Sequence, residues 1–357
     1  MFGLPLTMSD SQEDRDAADL PQDERAGADS SEEDAELIAQ LVHELETNPP
    51  LACPYSYTGP GDETRVRQAM GVLHLQAALM RRRHPWLNFD ALESMVFHSD
   101  FVQALRDLSE RAGRELHPTT ESTGAGVAMV VKLGNKSVLV AEANILLGMT
   151  SENEARRDIC IDTALHELCH VYDDERFGRL LADDLRRGTT RPMQGHVFTA
   201  AHAAWSEYFA NRYSDSGYSS PDEQPKFLAE VVPSVVNDVH SAIQVHIAQP
   251  DLPVVLALCR KKVNYLFQCF GYAAGRLSAN GAVLEEVAAE SVAALEVAGL
   301  YTVFLRVHLG LDALNEERDS WTSFDDLQPL MDQADSTFRA LGLHYSLDSR
   351  GVRVQFG

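Results

Sequence analysis

Residues 163–175 read T-A-L-H-E-L-C-H-V-Y-D-D-E and hold His166, Glu167 and His170 in the order H-E-x-x-H. On a helix, positions four apart lie one turn above the other, so His166 and His170 leave the same face and can reach one ion. Two neutral imidazoles suit Zn²⁺, and the adjacent carboxylate of Glu167 suits a base that takes a proton from metal-bound water. The bare pattern arises by chance on the order of a few per cent of the time in a chain of this length, so its surroundings must carry the reading. Ile161, Leu165, Leu168 and Tyr172 recur at helical spacing as an apolar stripe turned away from the histidines. Such a stripe predicts a buried helix rather than a solvated one.

The chain around this stretch has 357 residues and a formal charge of -24. That charge argues against non-specific binding to nucleic acid or to an anionic membrane. Arg81, Arg82, Arg83 and His84 form a compact basic cluster that reads as the solvated end of a helix. Cys53, Cys160, Cys169, Cys259 and Cys269 include no C-x-x-C pair, which suits a reducing compartment. Residues 1–10 lack the pattern of a secretory leader, and the most apolar stretches are interrupted, Val254 to Phe270 by Arg260, Lys261 and Lys262, and Val292 to Val307 by Glu296 and Arg306. The expectation is a cytoplasmic protein.

In chain order, residues 1–35 form an acidic leader. Ser9 to Glu36 holds too few large apolar residues to offset the entropy of ordering, so it is expected to be disordered, as a solubilising segment or as an inhibitory pro-segment. Leu37 to Leu45 follows the helical period until Asn48, Pro49 and Pro50 stop it. After a Pro/Gly-rich connection from Pro54 to Gly61, helices are expected over Val66 to Arg83 and over Ser99 to Arg111, the second with Ser99 as N-cap. Gly126 to Leu133 and Ser137 to Ala141, joined by Gly134, Asn135 and Lys136, read as a β-hairpin leading into Glu142 to Met149. Such a hairpin is either purely structural or offers an edge strand to an extended peptide. Polar Ser151 to Asp158 introduces the motif helix, and Asp173, Asp174 and Glu175 are expected to end it in a carboxylate cluster, solvated or holding the outer nitrogens of the histidines. Phe177 to Arg187 reads as a short amphipathic piece and Gly188 to Gly195 as a mobile loop.

A catalytic zinc ion takes three protein ligands and keeps one position for water, so a further ligand is needed downstream. Phe198 to Ser214 has helical composition, and Ala200, Ala201, Ala203, Ala204 and Ala210 would let another helix come close. Glu207 is the preferred third ligand, with Asn211 one turn on to orient a histidine, and His196 and His202 are the alternatives.

Trp205-Ser206-Glu207-Tyr208-Phe209-Ala210, following His166-Glu167-Leu168-Cys169-His170, resembles the gluzincin metallopeptidases, in which a Glu on a second helix completes the zinc site. The aminopeptidase N relatives in that group carry W-x-x-E-G-F-A. Here the tryptophan stands one residue closer to the glutamate, and Glu207 follows His170 by 37 positions, a longer interval than theirs. The resemblance spans about Gly126 to Ser214. Gly195-His196-Val197-Phe198 is similar to the G-H-x-x-F of the SprT-like proteases, whose third ligand is a histidine, but some of those act on DNA-protein crosslinks and the charge of -24 speaks against that.

From Lys226 onward the chain reads as helices over Phe227 to Ala248, Val254 to Leu277, Val283 to Leu309 and Phe324 to Leu341, closed by a hairpin over His344 to Leu347 and Val352 to Phe356. His240, His246 and His308 read as surface or core histidines. The expected fold class is α+β, mostly α: a zincin-like core of a small β-sheet, the H-E-x-x-H helix and the Glu helix, with a helical C-terminal region. The domains divide as a leader (1–35), a zincin-like metallopeptidase domain with N-terminal helices (36–220), a helical region (221–343) and a terminal hairpin (344–357). The expected activity is hydrolysis of an intracellular protein or peptide, with His166, His170 and Glu207 on Zn²⁺ and Glu167 as general base. Tyr208, Tyr213, His196 and His202 are the candidates for stabilising the oxyanion. No nucleic acid or membrane partner is expected, and the helical C-terminal region offers a surface for a protein partner. The rival readings are a zincin-fold sensor or protein-interaction module with a structural zinc, whose closed site would need Cys169, His196 or Asp173 as fourth ligand, and a SprT-like protease with His196 as third ligand.

Overall fold

The structure, a computed structural model, describes residues 49–118, 120–121, 124–188, 194–214, 222–348 and 351–357, with positions 40, 43, 47 and 220 besides. The acidic leader, the apolar period of Leu37 to Leu45 and most of the loop expected over Gly188 to Gly195 lie outside the described residues.

Strand β1 (Tyr55–Thr58) leads to helix α1 (Glu63–Arg83), which starts where the Asp62 side chain accepts the Arg65 N–H at 2.8 Å. Strand β2 (Leu92–His98) and helix α2 (Phe101–Ala112) follow. A two-residue pair, β3 (Thr120–Glu121) and β4 (Gly124–Ala125), precedes the hairpin of β5 (Ala128–Leu133) and β6 (Lys136–Glu142). The hairpin turns at Gly134, whose φ of 66° favours glycine. The main sheet has the order β1-β2-β6-β5: the first three strands run parallel and β5 is an antiparallel edge. Its two faces differ. Val131, Val138 and Val140 pack under Phe101, Leu105 and Leu108 of α2, whereas Ala128, Leu139 and Ala141 join the core that holds the motif helix.

Two sequence expectations are corrected in this half, and one strand has no sequence reading. The connection over Pro54 to Gly61 contains β1, and Leu92 to His98 forms the second parallel strand. Each finds its partner far along the chain, so neither carries a hairpin signature of its own. The cap of α2 is Asp100, not Ser99: its carboxylate accepts the Gln103 N–H at 2.9 Å.

Helix α3 (Ala143–Gly148) leads to the motif helix α4 (Glu154–Leu180), capped by Asn153. The apolar stripe is buried as expected, with Leu165 and Leu168 fully enclosed. The helix does not end at Asp173–Glu175. Asp173 is buried and paired while Asp174 and Glu175 stay partly exposed, all three within the continuing helix, and part of the piece expected over Phe177 to Arg187 belongs to α4. Then come α5 (Ala182–Arg187), α6 (Gln194–Tyr213), α7 (Glu223–Ala248), α8 (Leu252–Asn280), α9 (Leu284–Val287), α10 (Ala289–Val297), α11 (Tyr301–Glu316) and α12 (Gln328–Ala340). The single helix expected over Val283 to Leu309 is divided, with Gly299 at φ 68° between α10 and α11. A hairpin of β7 (Leu343–Asp348) and β8 (Gly351–Phe356) closes the chain. The fold is α+β and mostly helical, with a main apolar core running from Leu51 to Tyr345 and a smaller one between the sheet and α2. Among the described residues no single helix is long and apolar enough to cross a membrane.

The helix carrying Glu207 is held at backbone distance. A Cβ on Gly271 of α8 would run into the carbonyl oxygen of Ala204 and lie 3.0 Å from Glu207 Cβ, and one on Gly275 would meet the Tyr208 carbonyl and lie 2.9 Å from Asn211 Cβ. The alanines of α6 do permit close approach, and the closest helix is α8. Trp205, Tyr208 and Phe209, all fully buried, fill the space beside this crossing, each such burial contributing about 2–3 kcal/mol of transfer energy.

Candidate metal centre

His166 and His170 leave α4 one turn apart, and α6 brings Glu207 against both. Glu207 Oε2 lies 3.1 Å from His166 Nε2 and 3.3 Å from His170 Nε2, and the two imidazole nitrogens are 2.9 Å apart. Three lone-pair atoms at such mutual distances form a triangle. Adjacent ligand atoms around a tetrahedral ion with bonds of about 2.05 Å stand roughly 3.3 Å apart, so one small cation fits over this triangle. The buried His-His-Glu group could therefore bind a metal ion. His166, Glu167 and Glu207 are buried, and His170 is partly exposed, so the group meets its surroundings on the His170 side.

The support comes from α6 and α8. Ser206 Oγ lies 3.0 Å from His170 Nδ1 and fixes the outer nitrogen of that ring. Asn211 does not orient a histidine: its amide donates to the Glu207 carbonyl at 3.0 Å, one turn back along its own helix. Sequence reasoning missed Tyr272. Its ring centroid is 5.8 Å from that of His166, and its buried phenol feels the charge of Glu207. One turn farther, Arg276 pairs with Asp162 of α4 at 3.6 Å. Tyr272 and Arg276 thus face His166 and Asp162 in antiparallel register. A signal for this lay in G-Y-A-A-G at 271–275, where two glycines four apart mark a close crossing beside a tyrosine.

The charges follow from burial. Burial pushes the Glu167 carboxyl up to about 7, against the pull of nearby His170. Burial also opposes ionisation of Glu207, but His170 and the hydrogen bonds from both rings outweigh it and hold that carboxyl well below the usual range. His166 is pushed down by burial, while the attraction of Glu207 overcomes burial at His170 and raises it. The metal-free group thus concentrates one proton on His170, where a cation would otherwise sit. Tyr272 is raised well above its ordinary value by burial and by Glu207, so it stays a neutral donor.

The other residues singled out from sequence lie elsewhere. His196 stacks on Tyr345 at 5.1 Å, and His202 packs between Phe177 and Phe198. Asp173, read as solvated or holding a histidine, does neither: it accepts the Trp205 Nε1–H at 3.1 Å and the Arg176 guanidinium at 2.9 Å. Cys169 packs its sulfur 3.9 Å from that of Met80. Tyr213 donates to Asn315 at 2.8 Å. Tyr208 turns to the opposite side of α6 and donates to Asp312 at 2.6 Å, where Arg212 and Ser278 also donate to Asp312 Oδ1, each at 2.7 Å. His308 stands 2.9 Å from Ser278 Oγ in this same cluster, and His246 accepts the Asp251 N–H. Compared with family models, with curated proteins and with solved structures, the chain matches none.

Proposed function

We propose that the protein is a zinc-dependent metallopeptidase, on the convergence of His166, His170 and Glu207 from two helices beside the buried carboxylate of Glu167. Three nitrogen and oxygen donors, with no fourth protein donor grouped with them among the described residues, match the donor set of a catalytic zinc site. The three side chains considered as a fourth ligand, Cys169, His196 and Asp173, all have other partners. When bound, the ion would supply Lewis acidity, activating water and polarising the scissile carbonyl.

The protein's own groups do the rest. Glu167, with its carboxyl raised to about 7, is poised to take a proton from the attacking water and to hand it to the leaving amine nitrogen near neutral pH. Ser206 holds His170, and the Tyr272 ring lies beside that of His166 with its phenol kept neutral near Glu207. Tyr272 takes the place considered for Tyr208, Tyr213 and His196, whose partners are Asp312, Asn315 and Tyr345, while His202 packs between Phe177 and Phe198 within the electrostatic reach of His170. A peptide substrate has an edge to bind: β5 carries no further strand on its outer side among the described residues, and its alternate residues Ala128 and Val130 share a core with α4.

The test is zinc content together with hydrolysis of a mixed peptide library by the parent and Glu167→Gln. The variant is expected to keep its zinc and lose about 10²–10⁴ in rate. Equal hydrolysis by the two proteins would remove Glu167 from the chemistry and the reading with it.

A further inference from the structure

A concavity of about 770 Å³ opens where the β5–β6 turn meets the C-terminal part of α4. Lys132, Lys136, Arg179 and Arg186 line it, against the two carboxylates of Asp90 and Glu175. In a chain of formal charge -24 this is a local reversal of sign. The lysines are not neutralised by carboxylates in their hydrogen bonds: Lys132 Nζ donates to the Asp174 carbonyl at 3.1 Å and Lys136 Nζ to the Asp90 carbonyl at 2.8 Å. The arginines sit in exposed pairs, Arg179 with Glu175 at 3.5 Å and Arg186 with Asp183, which an incoming anion can exchange at little cost. Gly178 leaves room for one of these cations, since a Cβ there would lie 2.9 Å from Lys132 Nζ.

The basin is also aligned with the metal centre. His170, Asp174 and Gly178 occupy successive turns of one face of α4, and eight residues of helix span about 12 Å. An extended peptide covers that distance in roughly three to four residues. Lys132 itself stands on the edge strand, on the same side as Ala128 and Val130.

We propose that this basin is a subsite for acidic side chains of a peptide substrate, about three to four residues from the bond held at His166, His170 and Glu207. This assignment rests on the peptidase reading. A protein of such net charge repels acidic peptides at a distance, and four cations around one concavity offset that repulsion locally.

The test compares a dye-labelled decapeptide carrying alternate Glu with its Gln counterpart. Binding is followed by fluorescence anisotropy on the zinc-loaded full chain bearing Glu167→Gln, and turnover is followed on the parent. At low salt the Glu peptide is expected to bind about tenfold more tightly, with the difference shrinking as salt screens it. Lys136→Glu combined with Arg179→Glu should abolish the difference, and Lys136→Gln alone, a milder surface change, should reduce it. Equal binding of the two peptides, or a preference that survives charge reversal, overturns the subsite. Hydrolysis of both peptides with equal kcat/KM likewise overturns it and leaves the peptidase reading intact. A Glu preference in binding without hydrolysis of either peptide by the parent keeps the basin as an acidic-peptide site and removes the peptidase reading.

Discussion

Glu207 and Tyr208 are consecutive residues of one helix, yet they enter polar clusters of opposite kinds. On the Tyr208 side, Asp312 Oδ1 receives three donors, from Tyr208, Arg212 and Ser278, and the cluster is complete as it stands. On the Glu207 side, a carboxylate oxygen and two imidazole nitrogens crowd within 3.3 Å of one another. Acceptors outnumber the protons available there. Both clusters contain a histidine and a carboxylate, so residue type alone does not separate them. What separates them is the balance of donors: a cluster short of donors calls for a cation, while a balanced one joins helices.

The most direct way to break this comparison is to exchange the carboxylates. Glu207→Ala should lower zinc affinity beyond the roughly 10–100-fold that loss of an outer partner costs, whereas Asp312→Asn should leave it unchanged; competition with a chromogenic chelator reads both. If Asp312→Asn weakens zinc as much as Glu207→Ala does, the two clusters are one unit. Ser206→Ala, which frees the outer nitrogen of His170, is expected to cost about 10–100-fold in zinc affinity while leaving the fold intact by circular dichroism.

Next in size is the crossing beneath the site. Gly271→Ala should destabilise by about 1–3 kcal/mol, as overpacking does, and loosen zinc with it. Gly71→Ala in α1, where nothing stands within 4 Å, should stabilise by roughly 0.5–1 kcal/mol. Thermal melts of the two variants should therefore move in opposite directions.

pH sharpens the difference further. Because the folded metal-free chain raises His170 above its ordinary value of 6.5, its proton stabilises that state fully below about pH 6.5, and the stabilisation is lost as pH rises through the raised value. Zinc must displace this proton, so its affinity is expected to strengthen from pH 6 to pH 8, with proton release detectable in a weakly buffered titration. The smallest effect belongs to Asp312. Burial raises its pKa but the donors from Tyr208 and Ser278 prevail and depress it below 3.8, so its contribution is present above about pH 4 and lost as pH falls through the depressed value. The group is partly solvated, so Asp312→Asn should shift the acid limb of a stability curve by less than about 1 kcal/mol.

What the sequence disclosed follows the same division between local and distant. The stripe of Ile161, Leu165, Leu168 and Tyr172, the β5–β6 hairpin and the meeting of His166 with His170 depend on neighbours along the chain, and they read correctly. Glu207 was legible because alanines and an aromatic motif mark its helix. β1 and β2 were not, since a parallel strand takes its hydrogen bonds from a distant segment. Tyr272 lies more than a hundred positions from His166, and only the three-dimensional crossing joins them. Asp173 misled because a carboxylate beside two others looks solvated until Trp205 and Arg176 arrive from other turns.

The two glycines of α8 carry one more consequence. Where main chain rests on main chain there is no compressible layer of side chains, and the joint is stiff. Strain applied at Gly271 or Gly275 should then reach the turn of α6 that carries Glu207 with little damping, as through a rigid strut. Hydrogen exchange in the 204–211 segment of α6 is accordingly expected to be among the slowest in the molecule and to slow further when zinc is added.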